Sequence, residues 1–120
     1  MQVVAANAGY RPDLIEPLLS RLMATIAADT SVIARDKATE AIAAYAGTGP
    51  AAAQRAVPYL KQALTIANGR FASRALDGLR LALAADPNLA DHLLPIAEEH
   101  LGHHRSGART AAKHLLRGAS

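Results

Sequence analysis

Three prolines, each followed six residues later by an apolar side chain, divide this chain into units that look alike. The segments are IEPLLSRLM, AVPYLKQAL and LLPIAEEHL, in which Pro17, Pro58 and Pro95 are answered by Met23, Leu64 and Leu101. A second landmark follows each one: Asp29, Asn68 and His103 stand six residues before Arg35, Arg74 and Arg109. The spacing between units is 35–41 residues, which is the length of a helical hairpin in a stacked array. One amphipathic hairpin cannot bury both its faces, so such a chain folds only if neighbouring hairpins cover each other.

The punctuation between landmarks predicts six helices of about 13–18 residues joined by short turns, with no strand pattern. In RPDLIE, Asp13 is a candidate N-cap with Glu16 three residues on, a capping-box spacing. DTSVIA breaks the first helix and lets Thr30 or Ser31 cap the second. Breaks are expected at Asp29–Ser31, Gly47–Gly49, Asn68–Gly69, Asp86–Pro87 and Gly102–Ser106. Pro50 suits a first helical turn, where its missing N–H costs nothing. Pro17, Pro58 and Pro95 should start or bend the first helix of each pair. Stripes for burial are Ile33, Ala38, Ala41, Ile42 and Tyr45 in the second helix, and Phe71, Ala75, Leu76, Leu79 and Leu83 in the fourth. The sixth offers Ala108, Ala111, Ala112 and Leu115. Ile42 and Leu79 should be central.

These landmarks resemble the HEAT repeat family: a proline in the first helix, Asp or Asn at the inter-helix turn, and Arg early in the second helix. The likeness covers nearly all of Asp13 to Arg117. It implies an all-α fold, a right-handed α-solenoid of three antiparallel hairpins at approximately 13–47, 50–85 and 88–117, forming one domain over 1–120. It also implies a ladder between neighbouring repeats, with Asp29 and Asn68 at the turn positions and Arg35, Arg74 and Arg109 at the arginine positions. His103 departs from the turn pattern. Three units are about the minimum for a stable array. The end units lack an obviously polar outer face, which leaves two alternatives: a piece of a longer array, or self-association through the ends.

Composition sets the function classes. Hydrophobic residues make up 51% and charged residues 19%, a globular balance and not a disordered one. Alanine is about a quarter of the chain, while the aromatics are Tyr10, Tyr45, Tyr59 and Phe71 alone; a core of Leu, Ile and Ala requires close helix approach. There is no Cys, hence no disulfide, thiolate metal site or cysteine nucleophile. No apolar run reaches the roughly 18 residues of a membrane span, and MQVVAANAGY has neither the basic flank nor the long apolar stretch of a signal peptide. A cytoplasmic protein is the expectation. The net charge is +3, unevenly placed: no acid follows Glu99, whereas Arg105, Arg109, Lys113 and Arg117 recur every four residues.

No catalytic constellation is present. Asp36 and Glu40 are an ordinary surface pair four residues apart, Ser73 and Ser106 lack a nucleophile-elbow context, and GTGPAAA lacks the strand and lysine of a phosphate loop. In EEHLGHH, His100 with His103 or His104 has metal-compatible helical spacing, but Gly102 ends the helix there, and histidines are favoured against helix C-termini. A di-iron class within the HEAT-like proteins uses His-Glu pairs; only the reversed Glu99–His100 occurs here. No metal or other cofactor is expected. The basic set Arg70, Arg74, Arg105, Arg109, Lys113 and Arg117 falls on or beside the second helices, which often line the concave face in the HEAT family. The expected activity is non-catalytic binding of a protein segment, acidic or amphipathic, along that face, with Arg35, Arg70, Arg74, Arg109, Lys113 and Arg117 as the contact residues. The alternative is nucleic-acid backbone binding through the basic C-terminal half. The lack of Trp and of clustered aromatics argues against base stacking.

Overall fold

The computed structural model describes residues 12–118, with side chains from Ile15 onward. It contains six α-helices: α1 Pro12–Ala28, α2 Val32–Ala46, α3 Pro50–Ala63, α4 Ala72–Ala85, α5 Ala90–His100 and α6 Ser106–Gly118. One-turn 3-10 segments, Ile66–Gly69 and Pro87–Leu89, precede α4 and α5. Among the described residues there is no strand, and no helix is long and apolar enough to cross a membrane. Every expected break falls between α-helices, except that Ser106, the last residue of the final break, already begins α6. The Asp13 capping role concerns a side chain outside those described.

Local chemistry explains the boundaries. Ser31, not Thr30, caps α2: its Oγ accepts from Ala34 N at 3.2 Å, and its own N–H donates to Asp29 Oδ1 at 2.7 Å. Pro50 opens α3. Asp86 ends α4 and caps the next turn, with Oδ1 accepting from Asn88 N at 3.2 Å and Oδ2 from Gln54 Nε2 at 2.9 Å. That pairing lets a carboxylate sit buried. Pro17, Pro58 and Pro95 lie inside α1, α3 and α5 on exposed positions, where water can satisfy the carbonyl that loses its helical partner.

Consecutive helices pair, α1 on α2, α3 on α4 and α5 on α6, and α4 packs on both α2 and α6. α1 meets α3 only lightly, and neither helix of the first hairpin packs extensively against the third. The Cα atoms span 36 × 35 × 18 Å, so the molecule is a slab two helix layers thick. Its core holds Leu19, Ile26, Ile42, Leu60, Leu79 and Leu115 with no solvent exposure. Tyr45 is equally buried, and its hydroxyl has no hydrogen-bond partner. The stripes expected in the fourth and sixth helices are buried, although Phe71 lies just before α4 and not within it. In α2 the stripe needs a correction. Ile33 is 75% exposed, because nine residues are two and a half turns and place it opposite Ile42.

Gly78 fixes how closely α2 and α4 approach. A Cβ there would lie 2.8 Å from Ala43 Cβ and 2.9 Å from Leu60 Cδ2. An interior helical glycine costs about 1 kcal/mol relative to Ala; here it permits a contact that no other residue allows.

Candidate functional site

Of the six arginines and lysines expected to meet a partner, three are committed to the fold. Arg35 Nε donates to Ile26 O at 2.7 Å, satisfying a carbonyl in the last turn of α1, and its guanidinium lies 5.1 Å from the Phe71 ring centroid in the next hairpin. Arg109 Nη1 donates in the same manner to His103 O at 2.7 Å. Arg74 reaches across to α2: Nε lies 3.3 Å from Asp36 Oδ1, Nη2 is 3.0 Å from Asp36 Oδ2, and Glu40 Oε2 is 3.9 Å from Nη2. The bond to Asp36 raises the Arg74 pKa against the opposing effect of burial, with the Asp36, Glu40 and Asp77 charges helping. The expected turn-position ladder is therefore replaced. Asp29 is held by Ser31, Asn68 forms a turn, and the acids that meet an arginine across hairpins are Asp36 and, at longer range, Glu40.

Lys113 and Arg117 are exposed on α6. Arg70 has a different setting. It follows a turn in which Ala67, Asn68 and Gly69 all have positive φ, at 53°, 58° and 79°. Left-handed backbone is natural for Gly and Asn and costs about 1–2 kcal/mol for a residue such as Ala67. The turn is braced from the third hairpin: a Cβ on Gly69 would lie 2.5 Å from His103 Nε2. It delivers Arg70 to the rim of a cavity of about 390 Å³, which is also lined by Ser73, Arg105, Ser106 and Gly107.

This cavity is one end of a groove between α4 and α6. A second compartment of about 280 Å³ shares Ser73, Ser106 and Gly107 and adds Asp77, Thr110 and His114. The floor is where the helices touch, since a Cβ on Gly107 would sit 3.4 Å from Ser73 Oγ. Small side chains on both helices leave the space above it empty. Arg105, which belonged to the basic set but not to the expected contact residues, is as central as Arg70. The signal was in the repeat: each stands four residues before the landmark arginine, Arg74 or Arg109, while the first hairpin has Ser31 there.

The histidines are otherwise engaged. His100 Nδ1 lies 2.8 Å from Ile96 O, and His103 Nδ1 accepts from Arg105 N at 3.0 Å. The His100 and His103 rings stack at 5.5 Å between centroids, and those of His103 and His104 at 4.3 Å. Burial lowers the His103 pKa, and the neighbouring charges of His104, His100, Arg105 and Arg109 lower it further. Among the described residues no three His, Asp or Glu side chains are placed to hold a metal ion. A scan of protein-family models finds no match to this chain, and searches of curated proteins and of solved structures find no significant match either.

Proposed function

We propose that the chain is a HEAT-like right-handed α-solenoid of three hairpins that works as a non-catalytic interaction module, holding a segment of a partner protein along its second helices. The curvature this needs is supported by unequal packing in the two helix rows. α2, α4 and α6 pack closely side by side, helped by Gly78 against Ala43, whereas α1 and α3 touch lightly and α3 and α5 do not pack extensively. A stack tighter along one row bends toward it, which makes the second helices the concave side.

The observation that carries the reading is the groove between α4 and α6. It is open, lined by small and polar residues, and positive at the end formed by Arg70 and Arg105. An acidic segment lying in it gains charge-assisted bonds there without displacing an internal ion pair. Peptide display against the purified protein tests this. Selected peptides should be acidic, should shift amide resonances of α4 and α6, and should bind about tenfold or more weakly to Arg105→Glu. Peptides that bind the α1, α3 and α5 row, or are indifferent to Arg105, would remove the groove from the proposal. Nucleic-acid binding would show itself as oligonucleotide affinity falling steeply with salt.

A further inference from the structure

We infer that the Arg70–Arg105 end of the groove is a site for a phosphate monoester, carried by a phosphoserine or phosphothreonine of the bound segment. This rests on the peptide-binding reading and names the chemistry that the groove selects. Two arginines from different hairpins line one cavity with the hydroxyl-bearing Ser73 and Ser106, and no acidic residue lines it. Among the described residues neither guanidinium side chain is hydrogen-bonded or ion-paired, unlike Arg35, Arg74 and Arg109. Planar guanidiniums and hydroxyls together match a tetrahedral oxyanion, which accepts several bonds at once. The first turn of the 13-residue α6, Ser106 to Ala108, opens into the same cavity and adds the positive end of its dipole.

The adjoining compartment decides between two sources of phosphate. A polynucleotide brings a phosphate with every nucleotide, so a strand anchored at Arg70 and Arg105 would run its next charge toward Asp77. A peptide bears one isolated phosphate and can follow it with a lysine or arginine, which Asp77 would welcome. The lack of an aromatic platform in the groove points the same way, since base stacking is a main source of single-strand affinity.

The test is a set of amide-shift titrations on the whole chain. The probes are inorganic phosphate, a short peptide with one phosphoserine followed by lysine, its unphosphorylated twin, and an oligothymidylate. Wild type, Arg70→Gln/Arg105→Gln and the exposed-arginine control Arg21→Gln are compared, with circular dichroism confirming that each is folded. Inorganic phosphate should shift Arg70 and Ser106–Ala108 saturably in wild type and Arg21→Gln. The phosphopeptide should bind about tenfold or more tightly than its twin, and the double variant should lose that difference. Phosphate shifts that persist in the double variant mean an adventitious ion only and overturn the site. Twin peptides that bind the groove equally overturn the phosphate inference while leaving the interaction reading intact. Phosphate bound in the cavity with neither peptide binding overturns both. An oligothymidylate that displaces the phosphopeptide assigns the site to nucleic acid instead.

Discussion

The junction between the first and second hairpins is closed over by cross-hairpin ion pairing, whereas the junction between the second and third, whose helices pack as extensively, is open at its surface as a groove. At the first, Gly78 lets α4 meet Ala43, Arg35 covers Phe71, and Arg74 grips Asp36. At the second, Ser73 meets Gly107 at the floor of a groove, and Arg109 turns back to a carbonyl of its own hairpin. One position in the repeat accompanies the difference. Asp36 follows Arg35, but the residue that follows Arg74 is Ala75, so Arg109 has no equivalent acid to reach in α4. Two junctions built from similar helices thus differ in what they leave at the surface. The freed surface keeps its positive charge at Arg70 and Arg105.

The largest expected effect should fall on both junctions together. Leu79 is fully buried in α4, the helix packed on α2, α3 and α6. Leu79→Ala should cost about 2–5 kcal/mol, read as a lowered urea midpoint with an unchanged slope. A loss confined to one hairpin by hydrogen exchange would show that α4 is not the shared element.

Two glycines then separate the junctions by sign. Gly78→Ala forces a Cβ to within 2.8 Å of Ala43 Cβ. Overpacking of about 1–3 kcal/mol matches or exceeds the roughly 1 kcal/mol gained in helix propensity, so a net loss of up to about 2 kcal/mol is expected. Gly107→Ala meets Ser73 at 3.4 Å and 3.5 Å, an ordinary contact, and should be neutral or stabilising by up to about 1 kcal/mol. Equal effects in thermal unfolding would erase the distinction between a closed and an open junction.

Much of this architecture was legible in the residues, for physical reasons that also mark where legibility stops. Helix ends are local events, so Ser31, Pro50, Asn68–Gly69 and Asp86–Pro87 could be read without any tertiary knowledge. The burial of Leu79 and Leu115 follows from periodicity. Ile33 was misplaced because an apolar residue in a first turn looks like part of a stripe unless its phase is counted back from Ile42. The bridge of Arg74 to Asp36 was obscured by the family expectation that turn residues supply the acid. The groove depends on what small side chains leave empty, and vacancy has no sequence motif. Only the 35-residue spacing of Arg70 and Arg105 pointed to the two lining one cavity.

A smaller effect attaches to the bridge itself. Arg74 and Asp36 side chains are 43% and 36% exposed, so water and salt screen the pair. Arg74→Ala should cost about 0.5–1 kcal/mol, with a coupling to Asp36→Ala of about 0.2–1 kcal/mol that shrinks in high salt. Arg105→Ala, on the open junction, should stay within about 0.5 kcal/mol of wild type. A substantial loss at Arg105 would mean that it, too, holds the hairpins together.

The smallest effect concerns His103, the side chain that braces the mouth of the groove. Its folded pKa lies below the ordinary value because burial, and then His104, His100, Arg105 and Arg109, disfavour the imidazolium. The unfolded chain, with an ordinary pKa of about 6.5, therefore binds the proton more readily. The stability from the neutral ring is complete above about pH 6.5 and is lost as the pH falls through the lowered folded value. The loss should be local. His103 Nε2 faces Gly69, so protonation at mildly acidic pH should loosen the turns at Gly69–Arg70 and His103–Arg105 before it touches α2 against α4. Hydrogen exchange at two pH values, corrected for intrinsic rates, should show protection falling at those turns while Ala43 and Gly78 keep theirs. His103→Asn, which places the Asn68 side chain at the equivalent turn of the third hairpin, should flatten that acid response. If it loses protection on acidification as wild type does, some other group controls the open junction, and the contact of His103 with Gly69 is only a matter of fit.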